Sequence, residues 1–347
     1  MLKRLPTAAV GLLAMTLVFC LLAADAEARS KTIRMKIATL APAGTPWMKA
    51  MRAATDYVEE KSGGRVKFNY YAGGVMGDEP DVIRKMKMGV IQGAGITLAG
   101  VRLTVPEFQV MELPFLFPNR NYAETDYVYD KTFDYFEKAA WEHGYKLVAI
   151  SEAGFAHFWT KGKVENLVRD FPQQKVWQWE GDPVMLEISR SLDVNPISLP
   201  LPETLTALQT GMINAFYGTP LHVLSFQWNK FVDTVYTPSL FYTPAFFIFT
   251  REAWESLPED IQAMVYDDEV QKIKKEYLQK IHDADDEALK ALVETGGINV
   301  VEIPPDELEQ IKEKTMKVWE TLPGEMFPKE ILDVVKQHLK DFRSRNQ

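Results

Sequence analysis

Between Pro258 and Gly296 the chain carries no interior glycine or proline, and apolar residues keep a helical spacing as far as Glu294. At 1.5 Å per residue, one helix over 258–294 would be roughly 55 Å long, against the ~30 Å of a small domain. A continuous helix of that length has to run across more than one lobe. The alternative is two helices in succession, broken among Asp283–Asp286.

The rest of the chain alternates short apolar runs with amphipathic stretches. Ile33–Ile37 has the period of a strand, and Pro46–Glu60 that of a helix, opened by Pro46 and stopped by Gly63-Gly64. Strands over 66–71 and 90–96 and a helix over 80–88 complete a β-α-β-α-β unit, and a helical stretch covers 122–142. A second unit has strands over 145–151, 155–161, 175–179 and 195–199, with helices over 183–192 and 203–210. The rhythm predicts an α/β fold of two lobes built on parallel sheets. The expected division is 31–150 plus about 240–280 for lobe I and 151–239 plus about 281–347 for lobe II.

The first residues predict export. A basic head (Lys3-Arg4), an apolar run from Ala8 to Leu22 and small residues at Ala24–Ala26 form a secretory leader over 1–26, cleaved near Ala26. Cys20 is the only cysteine, and the large Phe19 before it argues against a lipid anchor. A mature chain without cysteine excludes disulfides, cysteine-held zinc and thiol nucleophiles. Lysine and arginine are scattered through a chain of net charge −9, which argues against nucleic-acid binding.

Chemistry is not legible. The five histidines show no metal-ligand spacing, and there is no GxSxG elbow or phosphate loop. The glycine-rich Tyr71–Gly77 lacks the lysine a phosphate cradle needs. His157 reads as a satisfied histidine at a strand end, and His143, His222, His282 and His338 as helix-surface residues without a role. The acidic run Asp283–Glu287 reads as a solvated face. The expectation is a protein without catalytic residues, metal or cofactor.

Four segments together resemble the DctP-type substrate-binding proteins of tripartite ATP-independent periplasmic (TRAP) transporters. They are Gly74-Val-Met-Gly77 with Val82-Ile83 and Gly89, Glu112-Leu-Pro-Phe-Leu-Phe117, Glu203-Thr-Leu-Thr-Ala-Leu-Gln-Thr-Gly211, and Trp254-Glu-Ser-Leu-Pro258. The resemblance implies a two-lobed periplasmic-binding-protein fold with hinge strands and a long lobe-spanning helix. It also implies capture of a small ligand by lobe closure, and delivery to TRAP membrane subunits. An additional periplasmic partner is a further expectation.

The departures from that family concern the ligand. Its clamping arginine corresponds to Trp177, and its second arginine to Ala156. Its ligand-binding asparagine corresponds to Thr219, with Phe216 and Tyr217 nearby, and its first-lobe contacts fall at Thr97, Leu98 and Gly100. The aromatic before Glu203 becomes Leu201. Trp179, Gln178, His157, Tyr242 and the helix-opening Trp47 complete the expected site. Without its guanidinium partner a buried carboxylate costs several kcal/mol, so the expectation is a neutral or hydrophobic, ring-containing ligand. The alternatives are a carboxylate held by rearranged contacts (Arg102, His157 or a bound cation), and a cation in an aromatic box. An enzyme or interaction protein on the same scaffold is the reading from another class. Trp177 and Trp179 face one side of a strand, and such aromatics serve equally as core.

Overall fold

The computed structural model describes residues 32–118 and 120–346; the predicted leader and Cys20 lie outside them. Nine strands are present among these residues: β1 (Ile33–Thr39), β2 (Val66–Tyr71), β3 (Gly93–Thr97), β4 (Tyr145–Thr160), β5 (Trp177–Trp179), β6 (Ile197–Leu199), β7 (Ala215–Gly218), β8 (Thr234–Thr250) and β9 (Asn299–Glu302). The helices that matter below are α1 (Pro46–Lys61), α2 (Glu79–Lys87), α3 (Tyr122–Glu142), α4 (Leu201–Thr210), α5 (Pro220–Ser225), α6 (Asp268–Glu294) and α7 (Lys329–Arg345).

One seven-stranded sheet runs through both lobes in the order β2-β1-β3-β8-β4-β7, with β9 also on β8; β5 and β6 form a separate pair. β4 and β8 are the spine. They are 16 and 17 residues long, roughly 50 Å each at ~3.3 Å per residue. Their density of Val, Ile, Thr and aromatic residues suits a long extended pair. They pair antiparallel from Tyr145/Thr250 to Thr160/Thr234, with register shifts at Leu147/Ala149, Glu152/Gly154 and Ala156/Phe158. The segments expected as separate strands over 145–151 and 155–161 are therefore one. Gly154, at φ 115°, absorbs the central shift, and a Cβ there would meet the Asp285 carboxylate at 3.0 Å.

The expected parallel sheet is only half of what is present. β1–β2, β1–β3, β5–β6 and β8–β9 are parallel, whereas β3–β8, β8–β4 and β4–β7 are antiparallel. The chain crosses between the lobes through β4 and returns through β8, and two oppositely directed crossings side by side can only pair antiparallel.

The long helix begins later than its sequence pattern. Short helices cover Arg251–Glu255 and Glu259–Met264, and α6 starts at Asp268. Asp267 leaves the helical region (φ −58°, ψ 146°), and its carboxylate pairs with Lys61 and accepts from Tyr57 Oη. The 27 residues of α6 still span about 40 Å, and they continue unbroken through Asp283–Asp286. The acidic run is not wholly solvated, because Asp285 is fully buried. It pairs with Arg120 at 3.0 Å and accepts bonds from the Leu221 N–H and Tyr122 Oη. His282, expected on the surface, is buried too. It stacks on Tyr122 at 3.9 Å and lies 2.9 Å from Glu152 Oε1. α7 closes the described chain and packs on α3 through Ile331, Leu332, Val335 and Leu339.

Candidate functional site

The site is built by one face each of α1 and α6 over the sheet. α1 starts at a Thr45 cap and Pro46, which fixes its phase. Trp47, Ala50, Met51, Ala54, Thr55 and Val58 then fall on one side at i, i+3, i+4 spacing. Val270, Lys274, Leu278 and Ile281 of α6 face the same space, and Val148, Ala149, Phe247 and Phe249 of β4 and β8 close it below. Between them lies a cavity of about 910 Å³. At one end it reaches the interlobe cleft, where Thr97 of β3 meets Trp179, Leu201 and His222 of lobe II. At the other it extends inside lobe I to Trp254 and Val265, and it opens sideways between α3 and α6 past Asp126, Asp130 and Lys275.

Its wall is apolar, so the few polar groups count. Glu79 at the start of α2 is buried and accepts from Thr97 N–H at 2.8 Å and Thr97 Oγ1 at 2.9 Å; burial pushes its carboxyl up to about 7. His222 faces the rings of Trp47 (5.1 Å) and Phe226. Burial lowers its imidazole pKa to about 4, so it is neutral near pH 7. Lys274 donates to the Val148 carbonyl at 2.9 Å. Burial, reinforced by the like charge of Lys146, brings its ammonium down to about 8. Behind the hinge, Glu152 takes a bond from Tyr242 Oη at 2.7 Å, and its backbone carbonyl one from Trp47 Nε1 at 3.0 Å. Burial alone would lower the His282 pKa, and the neighbouring Glu152 carboxylate outweighs it, so the pKa is raised. Among the described residues the cavity wall has no arginine and no cluster of metal-ligand type.

The lobes also touch directly. Arg102 Nε and Nη2 donate to the Gly181 carbonyl at 3.1 and 2.5 Å, Nη1 donates to Leu98 O, and Asp182 stands 3.8 Å away. Trp179 Nε1 donates to Asp78 Oδ2 at 2.9 Å.

Of the residues named from the sequence, Trp47, Thr97, Trp179, Leu201 and Tyr242 line the cavity. The other eight, and Gly100 with them, stand elsewhere. Trp177 is in the lobe II core, its Nε1 on Leu199 O and its ring 5.6 Å from both Tyr217 and Trp228. Phe216 packs on Trp228 at 5.0 Å. Tyr217 is enclosed beside Trp177 and Phe241. Gln178 is used by Ser189 Oγ and Asp182 O. Thr219 caps α5 through the His222 N–H. Ala156 pairs with Phe241 across β4–β8, and Leu98 is core. His157 bonds Tyr236 O at 3.0 Å, and burial lowers it to about 4. Of the protein groups considered for a rearranged carboxylate site, Arg102 spends three of its five N–H donors on Gly181 O and Leu98 O beside Asp182, and neither it nor the buried, neutral His157 lines the cavity.

Sequence reasoning missed Met51, Ala54, Glu79, His222 and Lys274. The signal was faint but present for one of them. Lys274 interrupts the apolar stripe that runs from Val270 to Ile281 on α6.

A family model, bacterial extracellular solute-binding protein family 7 (DctP), matches residues 37–326. The ectoine-binding periplasmic protein TeaA of Halomonas elongata is 23% identical over 312 residues, covering 85% of this chain and 87% of that protein. A solute-binding protein of Verminephrobacter eiseniae is 22% identical over 210 residues, 60% of this chain and 62% of that relative. Among solved structures, the sugar acid binding protein DctPAm of Advenella mimigardefordensis, in complex with galactonate, superposes with a TM-score of 0.81. It shares 22% identity over 90% of this chain and 99% of that one.

Proposed function

The chain belongs to family 7 of the bacterial extracellular solute-binding proteins, the DctP-type receptors of TRAP transporters, and we propose that it captures an organic acid with a large apolar body. On this reading the leader exports it to the periplasm, the lobes close on the ligand, and the closed form delivers it unaltered to membrane subunits. Ligand contacts made only in the closed form supply the free energy of closure.

The observation that carries the ligand class is Lys274. Its ammonium sits on a mainly apolar wall and spends one of three donors, on Val148 O. A carboxylate beside it would form a charge-assisted pair away from water. The relatives support an acid, since galactonate and ectoine both carry a carboxylate. The wall supports an apolar body rather than a polyhydroxy one, because buried hydroxyls without partners cost affinity. The expected preference for a neutral ligand thus gives way to the acid with rearranged contacts, while its apolar character is kept.

Thermal shift tests this reading. Aryl- or alkyl-substituted monocarboxylates should stabilise the protein more than their primary amides and more than sugar acids. Lys274→Met should raise the melting temperature of the free protein, by removing a poorly solvated charge, and erase the preference for acid over amide. Equal stabilisation by acid and amide in the unmodified protein would support the second reading, a neutral apolar solute, which the acidic Glu79 and Asp126 on the wall favour.

A further inference from the structure

The space between the lobes accounts for only one end of the cavity. The remainder runs inside lobe I, along the inner face of α1 from Trp47 to Val58. At 1.5 Å per residue that is about 16 Å, a long and narrow limb bounded by α1 and α6 above and the sheet below. Ala50 and Ala54 leave the width. Met51, Val58, Phe249 and Trp254 form the sides, and the Thr55 hydroxyl is spent on Met51 O at 3.0 Å. Met51 overlies Gly95, where a Cβ would meet its sulfur at 2.5 Å. An unbranched thioether can shift along an apolar guest.

We propose that this limb binds a linear aliphatic chain, the tail of a monocarboxylic acid whose head meets Lys274. The proposal rests on the acid-receptor reading above and narrows it. A sugar acid would bury hydroxyls against Ala54, Val58 and Phe249, which offer nothing to receive them. A single ring would leave most of a 16 Å slot (about ten helical residues) unfilled. An extended chain matches both the length and the lack of polar partners.

Calorimetric titration of the mature protein at pH 7 with straight-chain monocarboxylates of increasing length, below their micellar concentrations, tests it. Matching primary alcohols serve as the neutral series. Affinity should rise about fourfold per added methylene and level off once the chain outgrows the limb. Ala54→Trp should move that plateau to shorter chains. Ala54→Leu, a smaller intrusion, should do the same by a methylene or two if the tryptophan variant does not fold. Short acids that bind with no gain in length would overturn the limb and leave the acid receptor standing. Alcohols that gain with length while acids do not bind would keep the limb and overturn the acid reading. A protein that takes neither series overturns both.

Discussion

Two regions of this molecule are equally rich in large apolar side chains, and only one of them closes on itself. In lobe II, Trp177, Phe216, Tyr217 and Trp228 stack with centroids 5.0–5.6 Å apart. In lobe I, Phe247, Phe249 and Trp254 are spaced at 5.4–6.1 Å, but the helix across from them offers Ala50, Met51 and Ala54. The first region fills its volume at interior packing density. The second leaves a cavity of about 910 Å³. Aromatic content therefore says nothing about which lobe holds ligand. The size of the residues on the facing helix does.

Trp177→Ala gives the strongest test of that contrast. A buried tryptophan cut to alanine costs about 3–5 kcal/mol, so melting should fall by roughly 4–8 °C for a protein of this size. An unchanged melting temperature with lost ligand binding would break the comparison, because Trp177 would then belong to the site. Trp179 joins the two regions, and Trp179→Phe removes only its bond to the Asp78 carboxylate. The closed form should lose about 2 kcal/mol, as expected for a hydrogen bond to a charged group. Small-angle scattering should record a larger radius of gyration for the ligand-free variant; identical curves would show that the bond does not hold the lobes together.

A third effect is a dependence on pH that the lobe I chamber should show. Lys274 has its folded pKa lowered to about 8 from 10.5, so between those values the unfolded chain binds the extra proton. The Lys274 contribution to ligand-free stability should accordingly rise as pH increases from 8 to 10.5. Acid affinity should run the other way, constant below pH 8 and falling by up to tenfold per unit above it as the ammonium is lost. Lys274→Met should flatten both trends, and a wild-type affinity that does not change up to pH 10 would remove Lys274 from the site.

Much of the framework was legible before any coordinates. The phase of α1 follows from Pro46 and the apolar spacing behind it, and the two-lobed plan from the β-α rhythm and the length of the 258–294 pattern. The mapping of family contacts onto Trp177, Thr219 and Ala156 did not anticipate that these residues pack, cap and pair away from the cavity. A tryptophan at strand spacing can face a cleft or a core, and periodicity is the same in both. Lys274 and His222 were passed over because a charged or polar residue on a helix is ordinarily solvated, and only the packing of α6 and α5 against the sheet encloses them.

The sequence by itself determined local periods, the start of α1 at Pro46, and the absence of cysteine from the expected mature chain. Those depend on neighbours along the chain, within a few residues. The tertiary structure alone decided that β4 and β8 are continuous spines, that Asp285 and His282 are buried, and that the space between α1, α6 and the sheet stays open as a cavity of about 910 Å³. Each of those depends on which side chains meet across elements far apart in sequence, and a void is set by the sizes of residues that no local pattern relates.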